Sequence, residues 1–275
     1  MSKPARTPSS ADDSAVLVRE DRDSIAVLTL NRPDARNALS EALISDLIGE
    51  LDTIGADRSV RAVVITGKGS AFCAGHDLKE MTAHRNEADR GRAYFAALFE
   101  KCAGMMLQIM RLPQPVIAAV NGVASAAGCQ LVASCDLVVA SEAARFATPG
   151  VQIGLFCSSP MVPLSRKLAS NHVMEMLLTG ETLTARRAYE MGLVNRVVPV
   201  GQEHEEALKL AHVIGSKSAF VQKIGKEAFY QQLDLGLADA YRYGAKIMAE
   251  NMMARDAEEG ILAFIEKREP KWEDR

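Results

Sequence analysis

A chain of 275 residues lies between one and two average domains and is long enough to bury a sizeable core without disulfide or metal staples. Hydrophobic residues at 48% against 24% charged exclude a mainly disordered chain, and 32 basic against 35 acidic side chains, a net charge of −3, leave no electrostatic footprint for nucleic acid. The five cysteines, at positions 73, 102, 129, 135 and 157, include no C-x-x-C pair, which removes support for a zinc ribbon or a dithiol redox centre and makes a reduced, intracellular chain the simplest reading.

Met1 to Ser14 is polar, with Pro4, Pro8, Asp12 and Asp13. It has no apolar stretch for a secretory signal, and its acids count against a transit peptide, so residues 1–14 are expected to be a disordered tail and the protein cytoplasmic. Val16 to Arg19 and Ile25 to Leu30 read as two short strands around an Asp-rich turn. Ser40 is placed to cap a helix that carries Leu43, Ile44, Leu47, Ile48 and Leu51 at helical spacing. Arg61 to Thr66 is a β-branched run ended by Gly67-Lys68-Gly69, after which a long helical stretch reaches Arg111, just before Pro113. A buried strand (Pro115 to Asn121), a short helix (Ala126 to Ser134) and another strand (Asp136 to Ala140) follow. Leu112 to Cys135 carries no charge, but Pro113, Pro115, Asn121, Gly122, Gly128 and Gln130 interrupt it, so it reads as buried in protein and not as a membrane span. Alternating strands and helices predict an α/β fold with parallel pairing, over residues 15–200. Residues 201–275 have almost no strand signal and read as helical, with apolar positions such as Ile261, Leu262, Phe264 and Ile265 that need a packing partner.

Several familiar chemistries fail on spacing. Gly67-Lys68-Gly69 follows a strand, as a phosphate-cradling loop would, but position 72 is Phe72 where the dinucleotide fingerprint needs a third glycine, and no Ser or Thr follows the Gly-Lys pair as in a P-loop. The serine-nucleophile elbow is absent, because Ser125 lies in Gly122-Val123-Ala124-Ser125-Ala126. His204 and His212 fall on a charged helix with no metal-ligand spacing, so metal binding is unsupported.

Three segments point elsewhere: Asn31-Arg32-Pro33 with Arg36-Asn37-Ala38-Leu39, then Phe72-Cys73-Ala74-Gly75-His76-Asp77-Leu78, then Asn121-Gly122 through Ala126-Ala127-Gly128. With Cys135-Asp136-Leu137-Val138, Phe146-Ala147-Thr148-Pro149, Leu178-Thr179-Gly180, Gly192-Leu193-Val194 and Glu259-Gly260 to Arg268, in that order, they resemble the crotonase (enoyl-CoA hydratase/isomerase) superfamily over nearly the whole chain after residue 14. The resemblance implies a spiral ββα core, a C-terminal helical region that builds homo-trimers or hexamers, and a site for an acyl-CoA thioester as substrate, with no permanently bound cofactor. It implies an oxyanion hole made by two main-chain N–H groups, those of His76 and Ala127, the second at a helix N-terminus where free N–H groups and the dipole favour negative charge. Position 127 is usually glycine in the family, so the Ala127 methyl is expected to point away from substrate. Arg36 and Ala38, with Ala74, Gly75, His76, Asp77 and Leu78 on the facing loop, would contact coenzyme A; Ala126, Pro149, Gly150, Gly154 and Cys157 would line the acyl site; Phe264 and Lys267 match positions that reach a neighbouring subunit's coenzyme A.

The family's hydratases use two glutamates, and the matching positions are Gln130 and Gly150. An amide neither takes nor delivers a proton at neutral pH and glycine has no side chain, so ordinary enoyl-CoA hydration is expected to be weak. The loop where single-glutamate isomerases keep their acid, Gly154 to Pro160, also lacks one. Leu155-Phe156-Cys157-Ser158 together with Gln130 most resembles a branch whose members lack both glutamates. Three alternatives accompany this reading: decarboxylation or thioester hydrolysis using His76, a non-catalytic acyl-CoA binder, and a hydratase with an unmatched acid such as Asp77. Asp77 and Asp136 otherwise read as structural, Cys157 and Ser158 have no neighbouring base, and Gln130 can still orient a water or a polar acyl group.

Overall fold

The structure, a computed structural model, describes residues 15–275, so the tail expected over 1–14 lies outside the described residues. Strands β1 (Leu17–Arg22) and β2 (Ile25–Leu30) form an antiparallel hairpin with Leu17 opposite Leu30, turned at Asp23, whose φ is 55°. The first strand thus runs three residues further than its apolar residues suggest. Ser40 caps α1 (Glu41–Ala56) as expected, its Oγ accepting from Leu43 N at 3.2 Å, and the helix buries Leu43, Ile44, Leu47, Leu51 and Ile54. There follow β3 (Ala62–Gly67), β4 (Ala71–Cys73), α2 (Leu78–Ala83) and α3 (Arg92–Arg111). The single long helix expected before Pro113 is therefore two, separated by a 3-10 turn at His84–Asn86 and by Gly91, whose φ of 83° is left-handed.

Next come β5 (Val116–Val120), β6 (Val123–Ser125), α4 (Ala127–Ser134), β7 (Leu137–Ser141), β8 (Arg145–Ala147), α5 (Met161–Lys167), α6 (Ser170–Thr179), β9 (Leu183–Thr184), α7 (Ala185–Met191) and β10 (Arg196–Val198). A six-stranded sheet in the order β1-β2-β3-β5-β7-β10 is parallel except for its first pair, and a four-stranded sheet β4-β6-β8-β9 is parallel except for its last. Each turn of the chain gives one strand to the large sheet and the next to the small one: β3 then β4, β5 then β6, β7 then β8. This is the ββα spiral that the resemblance implied, and the α/β class expected from the sequence.

The continuous apolar runs of β3 and β5 have a simple cause. Val63 and Ile65 face a core shared with α1, α3 and α4, while Ala62 and Val64 face α8 (Glu203–Gly215), so both sides of the sheet are covered. Ala207 and Ala211 are the fully buried positions of α8, and their small side chains let the helix lie close on the sheet. The chain ends in α9 (Ala219–Gln232), α10 (Leu237–Met252) and α11 (Arg255–Glu266). Leu237, Tyr241, Met248, Phe264 and Ile265 on these helices are largely exposed. All five cysteines are buried free thiols. Among the described residues, no helix is long and apolar enough to cross a membrane.

Candidate functional site

The site is assembled where two loops run side by side. After a 3-10 turn at Pro33–Ala35, Arg36 and Asn37 both take left-handed φ angles, 50° and 54°. Asparagine tolerates that conformation when its side chain bonds locally, and Asn37 is fully buried and spends its whole amide on main chain. Its Oδ1 accepts from Arg32 N at 2.8 Å, and its Nδ2 donates to the carbonyls of Lys68 at 3.0 Å and Ala71 at 2.8 Å. The loop then pairs with the segment after β4: Ala74 N donates to Arg36 O at 3.0 Å, Leu39 N to Gly75 O at 2.7 Å and Asp77 N to Leu39 O at 3.1 Å.

That ladder fixes the direction of the His76 amide. In a parallel bridge between Leu39 and His76 the flanking residues bond to Leu39, so His76 turns its own N–H to the opposite side. Two glycines bring α4 up to it. A Cβ on Gly128 would lie 2.0 Å from Cys73 O, so α4 packs directly on the end of β4. Gly75, at φ 101°, has room for no side chain either: a Cβ would be 3.1 Å from Ala126 Cβ and 3.5 Å from Ala127 N. Ala127 N begins α4 and, like His76 N, donates to no group among the described residues. The two main-chain donors thus sit on neighbouring segments that leave little space between them at Gly75.

The backbone strain of this arrangement falls at Ala126, one residue before the expected donor Ala127. Ala126, the residue ahead of α4, has φ 49° and ψ −115°, a backbone region that alanine rarely adopts and that costs about 1–3 kcal/mol. It is held there by Ala126 N donating to Ala147 O at 2.9 Å and by Gln130 N donating to Ala126 O at 3.0 Å. Ala126 is therefore not part of the helix, which starts at Ala127.

Around these donors the side chains are neutral or already committed. The His76 ring meets Phe99 of α3 edge-on, with centroids 5.4 Å apart, and its buried Nδ1 has no hydrogen-bond partner. Burial, only partly offset by the Leu39 main chain, lowers its pKa to about 4. Asp77 caps α2, its Oδ1 accepting from Lys79 N at 3.0 Å, while Oδ2 takes a 2.9 Å bond from Arg32 Nη2. Burial alone would raise its pKa, but the Arg32 bond and the helix N–H groups hold it below the usual carboxylate range. Asp77 is thus held ionised as a helix cap beside Arg32, which disfavours it as the unmatched acid.

Gln130 lies one turn into α4 and is 3% exposed, and its buried Oε1 accepts no hydrogen bond. The fully buried Thr148, next to Ala147, leaves its hydroxyl unpaired as well. Such orphans cost about 1–3 kcal/mol each unless a water or ligand completes them. Gly150 sits in the 3-10 turn Pro149–Ile153, which Gly154 closes with φ 76°. A Cβ on Gly150 would lie 2.8 Å from Leu155 O and 2.9 Å from Cys157 Sγ, so the loop fills the space that a side chain would need. Cys157 is buried, which pushes its thiol pKa up and argues against a nucleophile; Ser158 bonds only to Phe156 O, at 3.4 Å.

The remaining expected contacts divide. Ala38 is buried and Ala74 half-buried beside the ladder, with Arg36 and Leu78 exposed at its rim. Phe264, 85% exposed, and Lys267, in the left-handed residue that ends α11, belong to the C-terminal helices and not to this cluster. Asp136 is structural as expected, accepting from Val116 N, Lys226 Nζ and Tyr230 OH at 2.7–2.9 Å. Two open surface clefts, one between α1 and α3 and one near Thr66, Asn121 and His204, lie away from the paired donors. Sequence reading missed the buried, unpaired hydroxyl of Thr148, having read that residue only as part of a motif, and missed the closure over Gly150. Neither leaves a local signal, since both depend on what folds against them.

The ββα spiral agrees with the comparisons: the chain belongs to the enoyl-CoA hydratase/isomerase family, which it matches over residues 20–275. The branch it resembles is that of enoyl-CoA hydratase domain-containing protein 3: the human mitochondrial protein of that name is 44% identical over 250 residues, 91% of this chain and 81% of the relative. The crystal structure of the human enoyl-CoA hydratase domain-containing protein 3 superposes with a TM-score of 0.88 at 42% identity, covering 94% of this chain and all of that one. The crystal structure of an enoyl-CoA hydratase from Mycobacterium smegmatis gives 0.89 at 48% identity, over 94% of this chain and 98% of that one.

Proposed function

We propose that this protein binds an acyl-CoA thioester and grips its carbonyl oxygen between the main-chain N–H groups of His76 and Ala127, stabilising the negative charge that develops there as an enolate forms. The observation that carries this reading is the pairing of two amides without internal acceptors across the Gly75–Ala126 contact. One such donor is worth about 2.7–4 kcal/mol in a transition state, and the N-terminus of α4 adds its dipole. The coenzyme A thioester is the substrate, its coenzyme A part held along the Arg36–Ala38 loop and the Ala74–Leu78 segment.

The proton-transfer half of hydration has no group to carry it. Gln130 keeps an amide at one glutamate position and Gly150 has nothing at the other. His76 is a poor substitute, because burial holds it neutral and weakly basic, which disfavours the decarboxylase and hydrolase alternatives. The protein therefore retains carbonyl recognition and hydrates enoyl-CoA slowly. The test is mass spectrometry of a mixed acyl-CoA panel after incubation, alongside direct binding of each thioester. Saturable binding with hydration far below the ordinary 1–10³ s⁻¹ is expected; fast addition of water to crotonyl-CoA would refute the reading of Gln130 and Gly150.

Assembly and location belong to the same proposal. The exposed apolar residues of α10 and α11 support a homo-trimer or a pair of trimers, in which Phe264 and Lys267 would reach a neighbouring coenzyme A. The cytoplasmic location inferred from the sequence stands against relatives named as mitochondrial, and fluorescence of the tagged chain in its own cell decides between them.

A further inference from the structure

We infer that residues 268–275 form a latch that holds α11 against the spiral and opens as a unit while the spiral stays folded. The buried stripe of α11 is Asp256, Glu259 and Ala263, at helical spacing, whereas its large apolar residues Ile261, Leu262, Phe264 and Ile265 are exposed. A helix docked by apolar burial would show the reverse. Among the described residues, no side chain of α9, α10 or α11 belongs to the core on either side of the large sheet.

What holds α11 is its own continuation. Lys267, at a left-handed φ of 57°, ends the helix and turns the chain back. Arg268 then grips the Glu259 carboxylate with both Nη atoms, at 2.6 and 3.0 Å, and Lys271 N donates to it at 2.8 Å. Asp256 accepts from Glu273 N at 2.7 Å and Asp274 N at 3.0 Å, and its own amide donates to Arg275 O at 3.0 Å. The same segment also holds the spiral. Trp272 lies against Gly260, where a Cβ would be 3.1 Å from the indole, and its Nε1 donates to Ser216 O at 2.9 Å. Asp274 accepts from Ala219 N at 2.8 Å and pairs with the Arg61 guanidinium just ahead of β3. Apart from the Trp272–Gly260 contact, each of these links is a hydrogen bond or ion pair, which water replaces at small net cost, so the joint opens before the apolar cores do. The two carboxylates couple the segment to the helix: buried without their partners they would be costly, so α11 leaves when residues 268–275 leave. The apolar face of Phe264 and Ile265 keeps its place only while the latch is shut.

Trp272 is the one tryptophan of the sequence, so its fluorescence reports the latch directly. The test is acrylamide quenching of Trp272 in the full chain at increasing urea, beside hydrogen exchange read by mass spectrometry over residues 255–275 and over β3 and β5. In water, residues 268–275 should exchange slower than an unstructured peptide by about tenfold or more. Below the urea concentration that unfolds β3 and β5, quenching should rise and residues 255–275 should lose protection in one step. Glu259→Gln should speed exchange over 255–275 by about fivefold or more and leave β3 and β5 unchanged. Glu250→Gln, at a surface pair with Lys246 on α10, should change neither region. Where Glu259→Gln does not fold, Arg268→Lys, which cannot hold a carboxylate with two Nη atoms, should speed exchange over 255–275 alone. Quenching that rises only as β3 and β5 unfold, unprotected amides over 268–275 in water, or a variant that speeds exchange equally in the spiral would overturn the inference.

Discussion

At Gly150 the missing carboxylate is not a simple vacancy. Leu155 N donates to Gly150 O at 2.9 Å, and the Leu155 carbonyl and Cys157 thiol occupy the position a side chain would take. Restoring the family's acids should therefore fail: Gln130→Glu with Gly150→Glu is expected to unfold at lower denaturant than the wild type, by about 1–3 kcal/mol, without gaining hydratase turnover. Stability and crotonyl-CoA turnover of that pair, beside Gln130→Glu alone, check this. His76 gives a second expectation. Its native pKa of about 4 lies below the ordinary 6.5, so between those values the unfolded chain takes a proton that the native state refuses. Stability should fall as pH drops from 6.5 toward 4, by up to about 3 kcal/mol, and the slope in this window should flatten in His76→Phe, as denaturant melts at stepped pH would show.

Among the elements, α9 is tied to the spiral by a buried charge. Lys226 Nζ donates to Ile109 O at 3.1 Å, Gln114 O at 3.0 Å and Asp136 Oδ2 at 2.7 Å, and burial lowers its pKa even with Asp136 beside it. Lys226→Met would leave the Asp136 charge without its cation, held by Val116 N and Tyr230 OH alone, and should cost about 3–5 kcal/mol, with protease cutting within residues 216–275 before the spiral as the visible sign. Nothing in the sequence announces this pair, because its members are 90 residues apart. By contrast α1 was legible from Ser40 and the spacing of Leu43, Leu47 and Leu51, and β3 from its β-branched run. The three-residue strands β4, β6 and β8 were not, being too short for any alternation and fixed only by pairing with one another. The donors at His76 and Ala127 were reached through the family's motifs. The strain at Ala126 was not, since a φ angle there is set by the approach of β4 and β8.

For the whole molecule, the spiral divides labour between its sheets. The large sheet is sealed between two cores, and the small one ends at the loops that carry His76, Ala127 and Thr148. The C-terminal helices supply the apolar surface left open, with Leu237 77%, Tyr241 75% and Met253 86% exposed. These exposed side chains support the proposed assembly, and light scattering should return a multiple of the chain mass, three or six. Charged substitutions at Leu237 and Tyr241 together should shift the protein toward the single chain.

The glycines that press α4 onto β4 have a consequence for how this protein would look to genetics. A saturation library scored for function should find glycine tolerated at position 127, where the buried methyl leaves room for small residues alone, while position 128 should admit almost nothing. The map would trace the proposed carbonyl site through its empty places, and a survey that ranks positions by the loss caused by alanine would not register a main-chain amide.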